Sequence, residues 1–597
     1  MLAWTGLPSV ITTVSWIPWC LGLTVLLFEG PRLRAGALLA LAVAMMLLGG
    51  HLQFAAYGGI AIVLFMLVLI VKGGDLRSTG LGLAALLLGG MLASPQLLPV
   101  LSYSEFSHRA NKPTEEGYGA YAGSAIGKLE LPGLVFPTAV GNPTKPVPGT
   151  DGSVNAYWPA FTKAVGDPPR PAGANFAESA IGIGPFLIVL IFLRKRLTAG
   201  QLGVALVGAV GALLALGTPL GRLLYFYAPG WSATGSPGRA AVLLVLALAV
   251  FAGAGVGALL EDRELARKRL PMAGIAMGLA LLHALGPMLF SPAYPNPYGL
   301  PVAPADLASG VVADELPIIL VSVVLTLVGL YSATRYRSAQ WVLPAMAALI
   351  ALTSYGIALV RTGEPLPRID GPTDERIAVV NSGWQLLQTS PALLPPNTNA
   401  LSRIHTIGGY DSLLHRDTVA VLREINGRDP APAANGNMMF VFPSADPGKL
   451  AAAGVTQVWS RSPLPQFATR PEMRQGYAVY RLDGPGRVSS TSDAAQIVSE
   501  GFGRLTVRAT GPGVLTVRER NMRGWRATLA GQSLPIREGL WITLDIPRGE
   551  HQVRLDYSPP GMSTGLLLCG LALAVVAVML AFGLRGKKVR EASDVRA

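Results

Sequence analysis

The chain has 597 residues, of which 51% are hydrophobic and only 14% are charged, and its mean hydropathy is +0.45. The hydrophobic fraction and the mean hydropathy lie above those of a water-soluble globular chain and the charged fraction lies below, which indicates a lipid bilayer as the main solvent. The formal charge of +13 does not indicate nucleic acid, because Lys and Arg fall in short groups between apolar runs. Cys20 and Cys569 lie inside such runs, so no disulfide framework is encoded.

The apolar runs predict about eleven membrane spans, since each is long enough, or nearly so, to cross about 30 Å of hydrocarbon. In chain order they cover residues 7–28, 35–50, 53–71, 80–101, 180–193, 202–218, 239–260, 271–290, 315–333, 340–361 and 563–584. Lys and Arg occupy every second connection, and the positive-inside rule places those connections in the cytoplasm. The predicted fold is therefore a polytopic α-helical membrane protein of the cell membrane.

The other connections are predicted to lie outside. They include the long loop 102–179 and a large domain before the last span. The membrane domain accordingly covers 1–361, and the last span with its basic cytoplasmic tail covers 562–597. This assignment leaves the N-terminus outside, with no signal peptide or anchor to carry it there.

The outer domain changes its sequence pattern, because long apolar runs give way to the alternation typical of strands. Its first part, 362–490, predicts mixed α/β structure with a strand at 376–380, a helix at 413–424 and a helix-turn-strand at 449–460. Its second part, 491–561, has short alternating segments between Gly and Pro turns. That pattern predicts a small antiparallel β-sandwich.

Polar side chains near the ends of spans form two separate candidate sites. Arg239 follows GSPG at the outer end of a span, where a guanidinium can bind a lipid-linked phosphate bidentately, and Arg222 can assist. His51, Gln53 and Tyr57 lie at and just after a short outer turn, so they can converge on a sugar or phosphate oxygen. The alternative is structural, with an arginine that snorkels to head groups and polar groups that satisfy nearby carbonyls.

Glu178 is the candidate proton acceptor. It lies in NFAESAIG, just before a span on the outer side, where partial burial would favour proton uptake by its carboxylate. The alternative is a solvated glutamate at a helix start, favoured by the helix dipole.

Two further groups are ionisable and lie outside the predicted spans. Glu105, His108 and Arg109 cluster in SYSEFSHRA, which suits an interfacial helix, and either function or a solvated surface explains them. Tyr410 and Asp411 in GGYDSL can face the membrane cavity, although a structural turn explains them as well. Tryptophans 525 and 541 can stack on a sugar, but such residues more often fill a sandwich core.

Several classes of cofactor are not indicated. The sequence has no GxxxxGK[ST] motif, which argues against ATP-driven transport. The histidines show no HExxH or i, i+4 pairing, so no metal site is expected. We expect no cofactor.

Segments spread along the chain resemble the YfhO-type bacterial membrane proteins, which are similar to the class C glycosyltransferases that use polyprenyl-phosphate sugars. They are GGHLQFAAYGG around His51, ASPQLLPVLSYSEFSHRA from Ala93, NFAESAIGIGPFLIVL from Asn175, PGWSATGSPGRAAVLLVLALAV from Pro229, LLPPNTNALSRIHTIGGYDSL from Leu393 and NMRGWRATLAGQSLPIREGLWITL from Asn521. Their order over almost the whole chain carries the resemblance. Such proteins open with an anchoring helix and a long acidic outer loop, so we expect this chain to lack the family's N-terminal part.

The resemblance implies an inverting sugar transfer on the outer face. A carboxylate takes the proton of the acceptor hydroxyl while the lipid phosphate leaves the anomeric carbon, and Glu178 matches an acidic position of the family's pattern. The expected partners are membrane lipid, a polyprenyl-phosphate sugar and a cell-envelope glycan or polymer. Because the family places its carboxylate in the first outer loop, enzyme activity stays open, and the alternatives are a non-catalytic assembly scaffold and a flippase or transporter of lipid-linked sugar.

Overall fold

The protein is described by a computed structural model that covers residues 8–110, 112–142, 156–162, 164–165, 170–171, 184–193, 196–290, 292–297, 299–300, 302–336, 341–355, 374–381, 394, 397–430, 438–467 and 470–594. These ranges are mostly helical, and their C-terminal part is rich in β-strands, which confirms the predicted fold class at that level. The chain forms two compact units. The first comprises residues 1–93, 112–361 and 568–597, and the second comprises residues 94–111 and 362–567.

The helices lie mainly in the first unit. In chain order they are α1 (Pro8–Glu29), α2 (Arg32–Leu48), α3 (Leu52–Val71), α4 (Leu76–Leu92), α5 (Ser94–Ser104), α6 (Glu115–Gly123), α7 (Ala199–Ala215), α8 (Pro219–Tyr227), α9 (Ala241–Glu261), α10 (Arg263–Ala284), α11 (Gly286–Phe290), α12 (Pro304–Arg335), α13 (Val342–Tyr355), α14 (Arg416–Asn426), α15 (Pro447–Ala452) and α16 (Met562–Asp594). Short 3-10 segments lie at Lys128–Leu134, Pro137–Val140, Trp158–Thr162, Gly184–Phe192, Trp231–Ala233, Pro237–Ala240 and Thr398–Ser402.

Five of the described helices are long and apolar enough to cross a membrane: α1, α3, Pro237–Glu261 (which includes α9), α12 and the Met562–Gly583 part of α16. The pairs α4 with α5 and α7 with α8 pass the same test as bent spans, so the number rises to 7 if each pair is one span. The remaining predicted spans fall on α2, Gly184–Phe192, α10 and α13. These are short or, in α10, begin with the charged sequence RELARKR, and their crossing of the membrane stays a prediction.

The two bends were not predicted, although the sequence contains their cause. Helices α7 and α8 meet at 82°, where Gly217 has a φ of +65°, which suits the end of a helix, and Pro219 opens the next one. Helix α4 ends at Leu92, and α5 begins at Ser94. Pro95 lies in the first turn of α5 and has no N–H with which to continue α4. The predicted span at 80–101 is therefore two helices, whereas α8 begins at Pro219, just beyond the predicted span at 202–218.

The predicted outer loops also contain ordered structure. Helix α12 begins at Pro304, inside the segment predicted to connect two spans. The loop 102–179 contains α6 and three of the 3-10 segments. Residues 94–111 belong to the second unit, whereas the sequence placed them with the membrane domain.

Helix α7 packs closely against α9 through glycines. A Cβ atom on Gly208 would lie 2.4 Å from the Cβ of Ala247, and one on Gly211 would lie 2.6 Å from the Cβ of Leu243. Small residues of this kind let two apolar helices approach until their backbones are in van der Waals contact, which is the main attraction between helices in lipid.

The variant Gly208→Ala is expected to lower the free energy of unfolding in mixed micelles by about 1–3 kcal/mol, because its methyl group overpacks the contact between α7 and α9. The matched control is Gly253→Ala in α9, where a Cβ atom would meet nothing within 4 Å. That control should be neutral or slightly stabilising, since alanine favours a helix more than glycine does. Equal unfolding curves for the two variants would contradict the packing argument.

The second unit contains two sheets of at least five strands. The strands of the chain are β1 (Ala164–Val165), β2 (Arg170–Pro171), β3 (Arg376–Val379), β4 (His405–Thr406), β5 (Gly409–Tyr410), β6 (Met438–Met439), β7 (Val455–Ser460), β8 (Glu472–Arg474), β9 (Tyr477–Arg481), β10 (Val488–Ser490), β11 (Gln496–Gly501), β12 (Arg504–Arg520), β13 (Trp525–Leu529), β14 (Gln532–Leu534) and β15 (Trp541–Tyr557). One sheet has the order β4-β3-β7-β9-β8, with β3 parallel to β4 and β7. Helices α14 and α15 contribute Leu422 and Leu450 to its buried core, so the first part is α/β as predicted.

The other sheet is antiparallel, with the order β10-β12-β15-β13-β14 and with β11 also paired to β12. The sequence predicts separate strands at 504–509 and 513–519 and at 541–546 and 551–557. The first two are in fact the long strand β12 and the last two the long strand β15, and these bend together near Gly511 and Pro547, where their register shifts. A side chain at Gly511 has no room there, since its Cβ would lie 2.1 Å from the carbonyl oxygen of Pro547. Because of the bend, Val507 and Leu515 from the two halves of β12 share one core.

A buried ion-pair network joins the two sheets. Arg487, whose side chain is 4% exposed, donates to both carboxylate oxygens of Glu500 at 2.9 Å and to Glu519 at 3.1 Å. Arg376 in β3 donates to the same oxygen of Glu519 at 2.9 Å. The His405 ring in β4 lies 3.3 Å from Glu500. Each buried guanidinium thus has a carboxylate partner, as a low-dielectric interior requires.

The network shifts two pKa values in directions that favour the folded state at neutral pH. Burial alone would raise the pKa of Glu500, but the hydrogen bonds and charge of Arg487 outweigh it and hold that pKa below its ordinary value. Burial, aided by the charge of Arg487, lowers the pKa of His405 below 6.5. His405 is therefore a neutral neighbour of Glu500 at pH 7 rather than a full ionic partner.

Acid is expected to destabilise this junction. As the pH falls below about 6.5, the unfolded chain protonates first at His405 and later at Glu500, so it binds more protons than the folded chain and stability decreases. Hydrogen exchange of β11 and β12 in the full chain, corrected for intrinsic rates, should show less protection at about pH 5 than at about pH 7. His405→Gln should remove the part of this loss of protection that begins near pH 6.5, because that part comes from protonation of His405 in the unfolded chain. His551→Gln, which lies outside the junction, should leave the loss unchanged. Equal protection at both pH values would contradict the assignment.

Candidate functional site

The candidate site of the first unit forms where α3 begins, next to the segment that leads into α9. Gln53 lies in the first turn of α3, and Tyr57 lies one turn later. Arg239 lies in the 3-10 segment Pro237–Ala240, immediately before α9. The structure therefore brings together side chains that are far apart in the sequence.

Gln53 is the centre of this arrangement. Its amide nitrogen donates to the hydroxyl of Tyr57 at 2.8 Å and to the carbonyl of Ser236 at 3.0 Å. Its amide oxygen accepts from the guanidinium of Arg239 at 2.9 Å and from the backbone N–H of Gly235 at 3.3 Å. We call these five residues the Arg239 cluster. Gln53 is 6% exposed and Tyr57 is 1% exposed, whereas Arg239 is half-buried.

The backbone around the Arg239 cluster is held by further polar contacts. The hydroxyl of Ser236 donates to the carbonyl of Ser124 at 2.8 Å. The ring of Trp231 lies edge-on to that of Tyr57, with centroids 5.8 Å apart, and its N–H donates to the hydroxyl of Tyr121 at 3.1 Å. The backbone segment that carries Arg239 is therefore held in place by its surroundings.

Gly235 provides the space for the guanidinium. A Cβ atom at this position would lie 2.7 Å from Nη1 of Arg239 and 3.4 Å from the amide oxygen of Gln53. A larger residue would displace the end of the arginine side chain. The first glycine of the GSPG sequence, Gly235, is therefore required for steric reasons.

His51 and Arg222 have other surroundings. The backbone N–H of His51 donates to the Thr13 hydroxyl at 3.3 Å, and its ring lies edge-on to Phe54 at 4.8 Å. Arg222 is exposed and forms two hydrogen bonds with Glu115, at 2.9 and 2.6 Å. These contacts of His51 and Arg222 do not involve Gln53.

The candidate residues around His108 lie in a segment that forms structural backbone contacts within the second unit. The segment after α5 pairs with the residues before α14, since the His108 N–H donates to the carbonyl of Leu414 at 2.8 Å and the Arg416 N–H donates to that of Phe106 at 2.9 Å. The neighbouring Glu105 is exposed.

Tyr410 and Asp411 lie in a structured turn. Asn397 donates to the Tyr410 carbonyl at 2.6 Å and accepts from its N–H at 3.0 Å. The carboxylate of Asp411 accepts from the N–H of Leu413 at 2.7 Å, which is an Asx-turn. These contacts agree with the structural alternative for the pair.

The tryptophans pack within the second unit. Trp525 packs on the antiparallel sheet and lies 5.1 Å from the ring of Tyr557. Trp541 packs against the α/β core and lies under the guanidinium of Arg520 at 5.1 Å. Glu178 lies outside the described residues, so its predicted role stays a prediction.

Two buried carboxylates were not singled out from the sequence. Glu130 is 2% exposed, accepts from the N–H of Gly127 and accepts from the hydroxyl of Tyr157 at 3.0 Å. Glu315 is 5% exposed within α12. The sequence signal for Glu315 was available, because a carboxylate inside an apolar helix needs a partner or a function. Within the described ranges, no three His, Cys, Asp or Glu residues form a group that could hold a metal ion.

No family model matches the chain, and neither a curated protein nor a solved structure does. The resemblance to YfhO-type proteins is therefore a prediction from the quoted segments alone. Any functional assignment must consequently rest on the residues and their geometry.

Replacing Gln53 by leucine is expected to lower the free energy of unfolding by about 1–3 kcal/mol, because buried polar groups of the Arg239 cluster lose a partner. Titration of the full chain with SDS in mixed micelles measures the change. The matched control is Gln552→Leu at an exposed position of β15, which should change the unfolding curve little. A Gln53→Leu chain as stable as that control would show that the cluster contributes nothing to stability.

Proposed function

We propose that the chain is a glycosyltransferase-like membrane protein that transfers a sugar from a polyprenyl-phosphate carrier to a cell-envelope polymer or glycan on the outer face. The observation that carries the proposal is the position of Arg239, whose guanidinium is fixed by Gln53 at 2.9 Å at the start of a candidate span. A membrane-borne phosphate would meet a cation there without leaving the bilayer surface.

The chemistry of the leaving group fits this arrangement. When the sugar leaves its carrier, negative charge develops on the lipid phosphate, and a preorganised guanidinium stabilises that charge more in the transition state than in the ground state. The N-terminal end of α9 adds a favourable dipole for an anion. Arg239 would thus bind the carrier phosphate and assist its departure, while Gln53 would be a positioning residue.

The acceptor side of the reaction needs a carboxylate to remove the hydroxyl proton. The residue predicted from the sequence for this role is Glu178. The outer location belongs to the same proposal, with eleven spans, the domain 362–561 outside and a cytoplasmic C-terminus, and it is supported by the basic residues in alternate connections.

The second candidate is movement of a lipid-linked sugar across the membrane. It is favoured by Glu315, a carboxylate that is 5% exposed inside the candidate span α12, since ionisable groups within spans often mark a transport path. This function predicts transbilayer movement without formation of a new glycosidic bond.

The test is sugar transfer in proteoliposomes that contain the full chain, radiolabelled polyprenyl-phosphate sugars and envelope acceptors. Arg239→Ala is expected to reduce the rate roughly a hundredfold, the usual effect of removing one preorganised donor to a developing anion. Arg239→Lys should retain part of the activity, because it keeps the charge but loses the planar fork. Glu178→Gln should abolish transfer.

The matched control is Arg461→Ala, at an exposed position of the second unit, which should transfer sugar at the native rate. Native activity in Arg239→Ala would remove the guanidinium from the mechanism. No transfer with any donor would reject the enzyme, and movement of labelled donor across the bilayer would then favour the flippase over a scaffold.

A further inference from the structure

One end of the antiparallel sheet lies close to the start of the last candidate span. Strand β15 ends at Tyr557, and α16 begins at Met562. The connection is compact, since the Ser558 N–H donates to the carbonyl of Gly524 at 3.0 Å and the Met562 N–H donates to that of Pro559 at 3.2 Å. At about 3.5 Å per residue, the four steps from Ser558 to Met562 reach at most about 14 Å.

The length of the span fixes where Met562 lies. The apolar part of α16, Met562–Gly583, has 22 residues, which at a rise of about 1.5 Å each give about 33 Å. The hydrocarbon core is about 30 Å thick, and Arg585 follows almost directly. The span therefore needs nearly all of its apolar residues, and Met562 must lie at the boundary of the hydrocarbon.

The neighbouring strands end at the same level as β15. On one side, the Tyr557 N–H donates to the carbonyl of Gly503 at 2.8 Å, and Phe502 is the next residue in the turn before β12. On the other side, Gly524 bonds to Ser558, and Arg523 precedes it. Since adjacent strands are about 4.8 Å apart, Phe502 and Arg523 flank the chain that enters the membrane.

The side chains at this end have the character of a lipid interface. Phe502 has a relative exposure of 110%, and it lies between two glycines at the tip of the β11–β12 turn. Trp525 and Tyr557 form an aromatic pair at the same end of the sheet. Arg523 is exposed. Aromatic rings with nearby arginines are typical of the zone between head groups and acyl chains.

We propose that this end of the sheet docks on the lipid bilayer, with Phe502 inserted below the head groups and Arg523 at the level of the lipid phosphates. The occupant is lipid rather than a protein, because the boundary of the hydrocarbon lies within reach of both residues. This contact would hold the second unit against the membrane at a point other than its chain connection. The inference is independent of the proposed sugar transfer.

The test uses the full chain with Cys20→Ala and Cys569→Ala in nanodiscs of phosphatidylcholine and phosphatidylglycerol. A nitroxide label is attached at Phe502→Cys, and its relaxation by oxygen and by a water-soluble nickel chelate is compared. The matched control is a label at Arg548→Cys, which is also exposed but lies in β15 nine residues before Tyr557, about 30 Å along the strand. The ratio of oxygen to nickel accessibility should be several-fold higher at position 502 than at position 548.

A second measurement keeps an aromatic ring at the tip. Benzoylphenylalanine at position 502 should crosslink to phospholipid on irradiation, and the same residue at position 548 should not. The proposal is overturned if position 502 behaves like position 548 in both measurements. It is also overturned if the label at position 502 is shielded from oxygen and nickel alike, which would indicate a protein partner.

Discussion

The side-chain amide of Gln53 is the interaction on which the candidate site depends. In a bilayer, a segment that is neither helix nor closed sheet can be buried only if its backbone groups find partners within the protein. The segment before α9 satisfies this condition in part through Gln53, which accepts from the N–H of Gly235 and donates to the carbonyl of Ser236. The same amide positions Arg239. Gln53 therefore satisfies buried backbone groups and also orients Arg239, the charged side chain of the cluster.

In the second unit, buried polar groups find their partners through ion pairs rather than through a side-chain amide. Arg376 and Arg487 are buried at the junction of its two sheets, and two carboxylates surround them. Burial of a guanidinium is unfavourable unless its charge and its hydrogen bonds are met together. Glu519 accepts from both arginines, so neither sheet can move away from the other without leaving a buried charge unpaired. The junction is thus specific as well as stabilising.

Much of the local structure could be predicted from the sequence. The strand at Arg376–Val379, the helix-turn-strand of α15 and β7 and the segments of the antiparallel sheet follow from alternation and turn residues. Contacts between distant residues could not be predicted. Gln53 and Arg239 are separated by 186 positions, and a single sequence contains no signal that pairs them. Two separate interpretations, of the turn at His51 and of the GSPG segment, were therefore needed for what is one cluster.

The bends between helices show a second limit of prediction from the sequence. Pro95 was visible in the sequence, but hydropathy averages over a window and does not register a change of direction within an apolar run such as 80–101. The eleven predicted spans therefore assume straight helices that the chain does not always form. The distinction matters for function, because a bend places backbone groups where a straight span would have none available. The 3-10 segment that carries Arg239 lies at the start of a candidate span rather than at a bend, and its charged side chain is held there because Gln53 in α3 supplies a partner that the helix itself cannot.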